Sequence, residues 1–457
     1  MREIQSCDEI LGCPRCDRSP LQRADDGLHC SGCQTRFPVF DGIPWLFAEP
    51  AAAVAEWRQR LGMVVAKRED DAKAIEKRLT GRDLSALTRS RLELLARSYR
   101  ENARDLVELL EPVQVSGDTP YATQLALRTR MPAPQGIATY YANVHRDWGW
   151  GAEENAVSLD LVRTALGDEV APGRVLTLGA GACRLAYDVH RALGATSSIA
   201  LDINPFLLLL TARLLRGEKI RLHEFPIAPR RLEDNAVLRE LAAPHTPCDN
   251  FQLVLADALR PPFARESFDT VITPWLVDIV SEEFALLARR VNGLLRKGGR
   301  WVLFGSLSFA HQDAALRYSL EEVLELTQQA GFAMPQAQET TIPYMCSPAS
   351  RHGRNEMVVS FATEKLKSVK RAQRHSALPD WIVERDQPVP LLPSFEMQAM
   401  STRVYAMIMG MIDGRRSIRD MAAIMEQKRL MTRQDAEPAI RGFLIKMYDE
   451  SQQGENS

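Results

Sequence analysis

The chain has 457 residues, 45% of them hydrophobic and 25% charged, with a formal net charge of −2. That length allows two or three domains and a sizeable core, and the near-neutral balance supplies no global field toward nucleic acid or an anionic membrane. No apolar run is long enough to span a bilayer, and the opening "MREIQSCDEILGC" lacks the basic region and apolar stretch of a signal peptide. The expected compartment is the cytoplasm, where thiols stay reduced and paired cysteines more often bind metal than form disulfides.

Four of the eight cysteines fall together: Cys13 and Cys16 in "CPRC", Cys30 and Cys33 in "CSGC". Two such hairpins can bring four thiolates into the tetrahedron that zinc prefers, and with no open coordination position the expected Zn2+ is structural. A segment this small depends on such a staple to fold. The following "FPVFDGIPWLF" (37–47) alternates and turns at Asp41-Gly42, as a ribbon hairpin does. This stretch resembles the small zinc-ribbon proteins that activate RNA and protein methyltransferases, which carry a similar "PV-DGIP-L" after their last cysteine pair. Cys7, Cys183, Cys248 and Cys346 stand alone and read as small buried or surface residues.

From Ala51 to Pro112 the chain is rich in Ala, Leu, Arg and Glu, and Leu92, Leu95, Tyr99, Leu106 and Leu110 recur at helical steps, predicting one or two amphipathic helices. "VSGDTPYATQ" and "RMPAPQG" then punctuate the chain with turn residues. Beyond Gly173 short apolar strands alternate with helices. Strands are expected at 175–179, 198–202, 251–256, 269–273 and 300–305, and helices at 184–193, 206–215, 282–295 and 319–330. Alternating β and α elements imply an α/β fold, a doubly wound parallel sheet covered on both faces. The stretch from Gly217 to Asn250 shows no clean period and reads as an insertion over one face. After Lys365 a basic, Pro-containing connector reads as a solvated linker. Beyond it Ser417 with Asp420, and Thr432 with Asp435, have the spacing of helix N-terminal caps, with Ala436, Ala439, Ile440, Phe443 and Met447 on one face of the second helix. "YAMIMGMIDGRRSIRDMAAIM" is similar, over a short span, to the winged-helix peptide-binding domain of ribosomal peptide-modifying pathways.

In a doubly wound sheet ligands bind beyond the carboxyl ends of the strands, where strand order switches. The first strand ends in Gly179-Ala180-Gly181, whose small residues let backbone N–H groups approach a ligand at a helix start. No phosphate loop with Lys-Ser/Thr and no complete GxGxxG is present. The second strand ends in Asp202, placed to accept both hydroxyls of a ribose, and the third in Asp257-Ala258, where an acid can accept from an adenine amino group. The fourth, "FDTVITPW", is followed by Leu276, Val277 and Asp278. Dinucleotide enzymes share the first two features, and the third favours S-adenosyl-L-methionine, the cofactor of class I methyltransferases, whose sheet is Rossmann-like.

"HRDWGWGAEEN", "VLTLGAGACRLAYDVHRAL", "IRLHEFPIAPRR", "FQLVLADA" and "FDTVITPWLVDIV" follow in order, and this series resembles the carnosine N-methyltransferase family over about half the chain, from Tyr140 to Lys365. The resemblance implies cofactor-binding roles for Arg146, paired with the methionine carboxylate, for Gly179, Gly181, Asp202, Asp257 and Ala258, and for the backbone near Thr270. It places the substrate aspartate at Asp278 and a catalytic histidine at His311, one position later than the family's Gly-Pro-Leu-Leu-Tyr-His pattern would put it. A carboxylate holding one imidazole nitrogen suits methylation of the other, because it fixes the tautomer and stabilises the developing imidazolium. The plain alternative for Asp278 is a helix cap before "IVSEEF". The family's tyrosines near the last strand are absent from "SRHGRNEMVV", which offers His352, Arg354 and Asn355, and Tyr344 in "IPYMC" is the available substitute.

The expected organisation is therefore a zinc ribbon at 1–48, a helical segment at 49–130, an S-adenosylmethionine-dependent methyltransferase domain at 131–365, a linker at 366–392 and a winged-helix-like helical module at 393–457. The expected activity is N-methylation of an imidazole- or histidine-containing small molecule or peptide. A protein partner could dock through the ribbon or the C-terminal module, with no membrane involved. The alternatives are a non-catalytic scaffold, which would need none of the strand-end residues together, and an RNA methyltransferase. Net charge and the ending "TPWLVD", in place of Asn/Asp-Pro-Pro-aromatic, speak against the second.

Overall fold

The structure, a computed structural model, describes residues 7–24, 27–81, 83–114, 137–167, 169–280, 282–309, 311, 313–370 and 388–456. The two turn-rich stretches at 115–124 and 130–136 and most of the basic linker lie outside these residues. Two compact units emerge, Met1–His375 and Ser376–Ser457.

The first unit begins with β1 (Gln22–Ala24), β2 (Gly27–His29) and β3 (Arg36–Phe37), a small antiparallel sheet that carries the cysteines, followed by the hairpin β4 (Val39–Phe40) and β5 (Ile43–Leu46). Asp41 and Gly42 turn that hairpin with φ of 51° and 79°, the left-handed pair that matches strand twist. Helices α1 (Pro50–Leu79), α2 (Ala86–Leu109) and α3 (Ile137–His145) follow, then a π-helical turn (Arg146–Trp150) and α4 (Ala152–Leu166). The doubly wound part runs β6 (Arg174–Leu178), α5 (Arg184–Ala192), β7 (Ser197–Asp202), α6 (Pro205–Leu215), β8 (Ile220–Glu224), β9 (Val237–Leu241), β10 (Phe251–Ala256), β11 (Phe268–Pro274), α7 (Phe284–Leu294), β12 (Leu295–Gly305), α8 (Leu320–Gln329), β13 (Gln338–Tyr344) and β14 (Arg354–Glu364).

Nine strands make one sheet in the order β13-β14-β12-β11-β6-β7-β10-β5-β4. From β12 to β5 every pairing is parallel, and β14 is antiparallel to β12 and to β13. The central strands read as continuous apolar runs because helices cover both faces; all six residues of β7 are buried. Helix α6 is buried over most of its surface, with Arg213 and Leu215 part-exposed, and its start is fixed by Pro205 and by Asn204, whose side chain accepts from Phe206 N at 3.1 Å. Order reverses at β6, between β7 and β11, so the ligand crevice opens beyond Leu178 and Pro274.

The ribbon is built into this unit. Strand β5 lies beside β10, with Trp45 opposite Leu255 and Leu46 opposite Ala256. Gly12 N donates to Pro262 O and Ala264 N to Ile10 O, both at 2.8 Å. Ile10, Leu11, Leu28 and Phe37 share one core with Leu46, Leu259 and Phe268, while Trp45 packs on the other face with Trp57 and Leu61 of α1.

The irregular insertion at 217–250 contains the hairpin β8–β9, in register from Ile220 opposite Leu241 to Glu224 opposite Val237. Two five-residue strands among prolines and arginines are too short for a period to stand out. The second unit consists, among the described residues, of α9 (Pro393–Gly410), α10 (Ile418–Gln427) and α11 (Arg433–Asn456), with no strand. Ile408, Met411, Met421, Ala422, Met425, Ala436 and Ile440 form its core. Ser417 and Asp420 make a reciprocal capping box, and Thr432 Oγ1 accepts from Asp435 N at 3.2 Å.

Candidate active site

The turn from β6 into α5 uses three left-handed residues, Gly179 (φ 69°), Gly181 (φ 58°) and Cys183 (φ 66°). Gly179's left-handed φ favours glycine, and a Cβ there would also press on Leu276 Cδ1 at 2.8 Å; at Gly181 a Cβ would meet nothing within 4 Å, so the backbone faces open space. Asp202, at the end of β7, ties this turn down: Oδ2 accepts from Gly181 N and Oδ1 from Asn204 N, each at 2.8 Å. Burial pushes the Asp202 carboxyl up to about 6, against the amides of Asn204, Gly181 and Ile203, which pull it down. Each oxygen keeps acceptor capacity for a further donor. Ile203, 45% exposed, offers an apolar face beside it. At the end of β10 Asp257 Oδ1 accepts from Leu259 N at 2.8 Å, and Ala258 is buried behind the turn.

Arg146 enters from the π-helical turn. Its guanidinium pairs with Asp147, Nε to Oδ1 at 2.7 Å, and lies 5.5 Å from the centre of the Tyr344 ring. The turn is pinned by Arg184 Nη1 and Asn155 Nδ2, which donate to Asp147 O at 2.8 and 3.1 Å. Gly151 closes it, since a Cβ there would meet Arg146 O at 2.4 Å.

After β11, Trp275 adopts φ 49° and packs against Tyr344, ring centres 4.7 Å apart. Three residues on, burial pushes the Asp278 carboxyl up, while the Ser306 hydroxyl and the amides of Asp278 and Ser308 pull it down. Its buried Oδ1 has no hydrogen-bond partner. The half-buried Tyr140 hydroxyl is within electrostatic reach of Asp202, Tyr344 and Asp278, which also raise its pKa after burial itself. Residues from α3, β7, β11 and β13 thus face one cleft at the switch point. Tyr140 and Trp275 join the cleft without a motif of their own; the aromatics of "TYY" and "TPW", beside the arginine and aspartate motifs, are the available signal.

Two expected positions need correction. Thr270 lies near the start of β11, opposite Val175 and Arg300, with Oγ1 donating to Pro172 O at 2.8 Å. Its backbone is at the amino end of the sheet, away from the crevice, and the strand's carboxyl end is Thr273-Pro274. His311 holds a local turn: Nδ1 accepts from Asp313 N at 3.0 Å and its carbonyl from Arg317 Nε at 2.7 Å. The groups of that loop that pull the Asp278 pKa down are Ser306 and Ser308, not His311.

The ligand atoms of Cys13, Cys16, Cys30 and Cys33 all lie within 4.8 Å of one another, and Cys13–Cys33 and Cys16–Cys30 sulfurs are 3.5 Å apart. Arg15 N and Gly32 N each point at a sulfur at 3.4 Å, amides that would stabilise thiolate charge. Four sulfurs this close together, so supported, fit the corners of a tetrahedron around a zinc ion with Zn–S of about 2.3 Å. Among the described residues no helix is long and apolar enough to cross a membrane.

The family profile described as carnosine N-methyltransferase matches residues 137–367. The chain belongs to the carnosine N-methyltransferase family. Arg146, Gly181, Asp202, Asp257 and Asp278 all lie inside the family match, whereas the four ribbon cysteines and the C-terminal unit lie outside it. No curated protein matches the chain. Among solved structures the chain is similar to the Haemonchus contortus phosphoethanolamine N-methyltransferase 2 bound to phosphomonomethylethanolamine and S-adenosylhomocysteine, at 17% identity over 45% of this chain, with a TM-score of 0.30; the match spans only 43% of that protein. It is also similar to YcgJ of Bacillus subtilis (16% identity, 46% of this chain and 99% of that one, TM-score 0.32). A third is a chain of the complex between the Haloferax volcanii Trm112 methyltransferase activator and a methyltransferase (13% identity, 50% and 96%, TM-score 0.33). The family is one of S-adenosylmethionine-dependent methyltransferases, and the Rossmann-like sheet of this member carries Gly181, Asp202, Asp257 and Asp278 at or beyond the carboxyl ends of its strands.

Proposed function

We propose that this protein is an S-adenosylmethionine-dependent N-methyltransferase whose acceptor is the imidazole of a small molecule or peptide. The observation that carries the acceptor is the buried, unpartnered Oδ1 of Asp278 at the cleft, an acceptor atom that awaits a donor N–H.

For the cofactor, Gly181 leaves room at the backbone, Asp202 accepts the ribose hydroxyls, Asp257 accepts the adenine amino group beside Ala258, and Arg146 pairs with the methionine carboxylate. Bound there, S-adenosylmethionine supplies a methyl group on a positively charged sulfur. Asp278 takes the N–H of one imidazole nitrogen and so exposes the lone pair of the other. That lone pair would be the nucleophile toward the cofactor's methyl group, the electrons of the broken S–CH3 bond staying on sulfur. The carboxylate stabilises the imidazolium until its proton passes to Asp278 and on to water. Most of the barrier reduction comes from positioning. Tyr140, Trp275 and Tyr344 supply aromatic walls that exclude water. Zinc at Cys13, Cys16, Cys30 and Cys33 holds the ribbon in shape, with no part in the chemistry. The C-terminal unit presents a peptide or a protein partner, in keeping with exposed Met397, Met400, Tyr405 and Met409 on α9.

The first test is calorimetric titration of S-adenosylmethionine into the zinc-loaded protein beside Asp202→Ala. Binding in the micromolar range that the variant loses supports the reading; a folded wild type that binds none sinks it.

A further inference from the structure

Beside the cleft, an open cavity of about 350 Å3 is lined by Arg230, Arg351, His352 and Arg354 together with the buried Ser347 and Ser350. It lies where the β13–β14 loop meets the insertion that follows β8. The two loops clamp each other through carbonyls. Arg230 Nε donates to Ser350 O at 3.0 Å and Arg230 N to Ala349 O at 3.1 Å; Arg351 N donates to Ala228 O at 2.7 Å, and its guanidinium to Pro229 O and Arg230 O. These acceptors are neutral, so they fix both guanidiniums in place and leave the charge intact. Among the described residues the side chains of Arg230 and Arg351 are bonded to carbonyls and to no carboxylate, and their forks retain unused N–H donors; Glu224, which accepts from the lining Ser347, is itself paired with Arg239. Arg354, paired with Glu356, stacks 4.8 Å from the Tyr344 ring that Arg146 also approaches. Glu154 fixes this junction by accepting from Met345 N and Cys346 N at 3.0 and 2.8 Å.

A concave, rigid site with two uncompensated guanidiniums next to an acceptor cleft favours a negatively charged guest, because planar N–H forks match the geometry of carboxylate and phosphate oxygens. We infer that this cavity is a second subsite for the methyl acceptor and that it binds an anionic group, a carboxylate or a phosphate, carried by the molecule whose imidazole reaches Asp278. The location of the acceptor rests on the methyltransferase reading; the charge of the subsite does not.

The test is calorimetric titration of four probes into the full chain saturated with S-adenosylhomocysteine: N-acetylhistidine, its carboxamide, histidinol phosphate and N-acetylphenylalanine. N-acetylhistidine or histidinol phosphate should bind at least about tenfold more tightly than the carboxamide, the scale of a charge-assisted hydrogen bond. The tighter of the two identifies carboxylate or phosphate as the natural group. Arg230→Gln and Arg351→Gln should each remove most of that preference while the carboxamide binds as before. If Arg351→Gln fails to fold, Arg354→Gln and the loss of preference with rising salt in the wild type take its place. Equal binding of acid and amide, a preference that survives in the folded variants, or no binding by any probe overturns the inference. N-acetylphenylalanine binding as tightly as N-acetylhistidine overturns the imidazole reading and leaves the anionic subsite standing.

Discussion

Asp202 does two jobs that respond to pH in opposite senses. Its carboxyl titrates at about 6 in the folded chain, above the ordinary carboxylate range, because it is buried. Its contribution to folding stability is therefore present at low pH and lost as pH rises through about 6. Ribose hydroxyls, by contrast, are accepted by the ionised form. Affinity for S-adenosylmethionine should accordingly fall as pH drops below about 6, by up to about tenfold per unit, and the rise in melting temperature caused by saturating cofactor should grow between pH 5 and pH 7. A flat affinity profile would place the ribose elsewhere. Asp278→Asn removes the carboxylate with little change of shape, and methyl transfer should fall by about a hundredfold or more while cofactor affinity stays within twofold. Loss of cofactor binding together with activity would assign Asp278 to the cofactor site. At this scale the places of Asp202 at the end of β7, of Asp257 just beyond β10 and of Gly181 in the turn after β6 were legible in sequence, since each closes or follows an apolar run. Thr270 could not be placed from the motif alone, because being in the right strand does not say which end of it faces the ligand. The approach of Ser306 and Ser308 to Asp278, which pulls its pKa down, depends on a loop fold that no local pattern encodes.

Among elements, five of the six parallel strands were legible because strands buried on both faces read as uninterrupted apolar runs. The union of β5 with β10 was not, because "IPWL" shows a strand but carries nothing about its partner. That union makes the ribbon part of the sheet, with Trp45 almost wholly buried. Trp45→Ala should cost about 3–5 kcal/mol in chemical denaturation, as for other large-to-small core changes. Stripping zinc with a strong chelator, or Cys13→Ser with Cys16→Ser, should lower the melting temperature and promote aggregation, since unseating β5 opens the edge of β10. A chelator-treated protein with unchanged melting and solubility would show that the ribbon folds without metal.

At the scale of the molecule, the two compact units have separate cores. A chain ending at His375 should melt as the intact protein's larger transition does and should methylate small acceptors at the same rate, with any change confined to peptides. A drop in both would make the C-terminal unit part of the folding core. The strand order also carries a consequence for synthesis. Trp45 and Leu46 are made early, yet the strand they pair with, β10, lies about two hundred residues later, which at ordinary translation rates is a wait of about 10–40 s. For that interval the β4–β5 hairpin presents one apolar strand edge unpaired, which ties completion of the sheet to the pace of elongation.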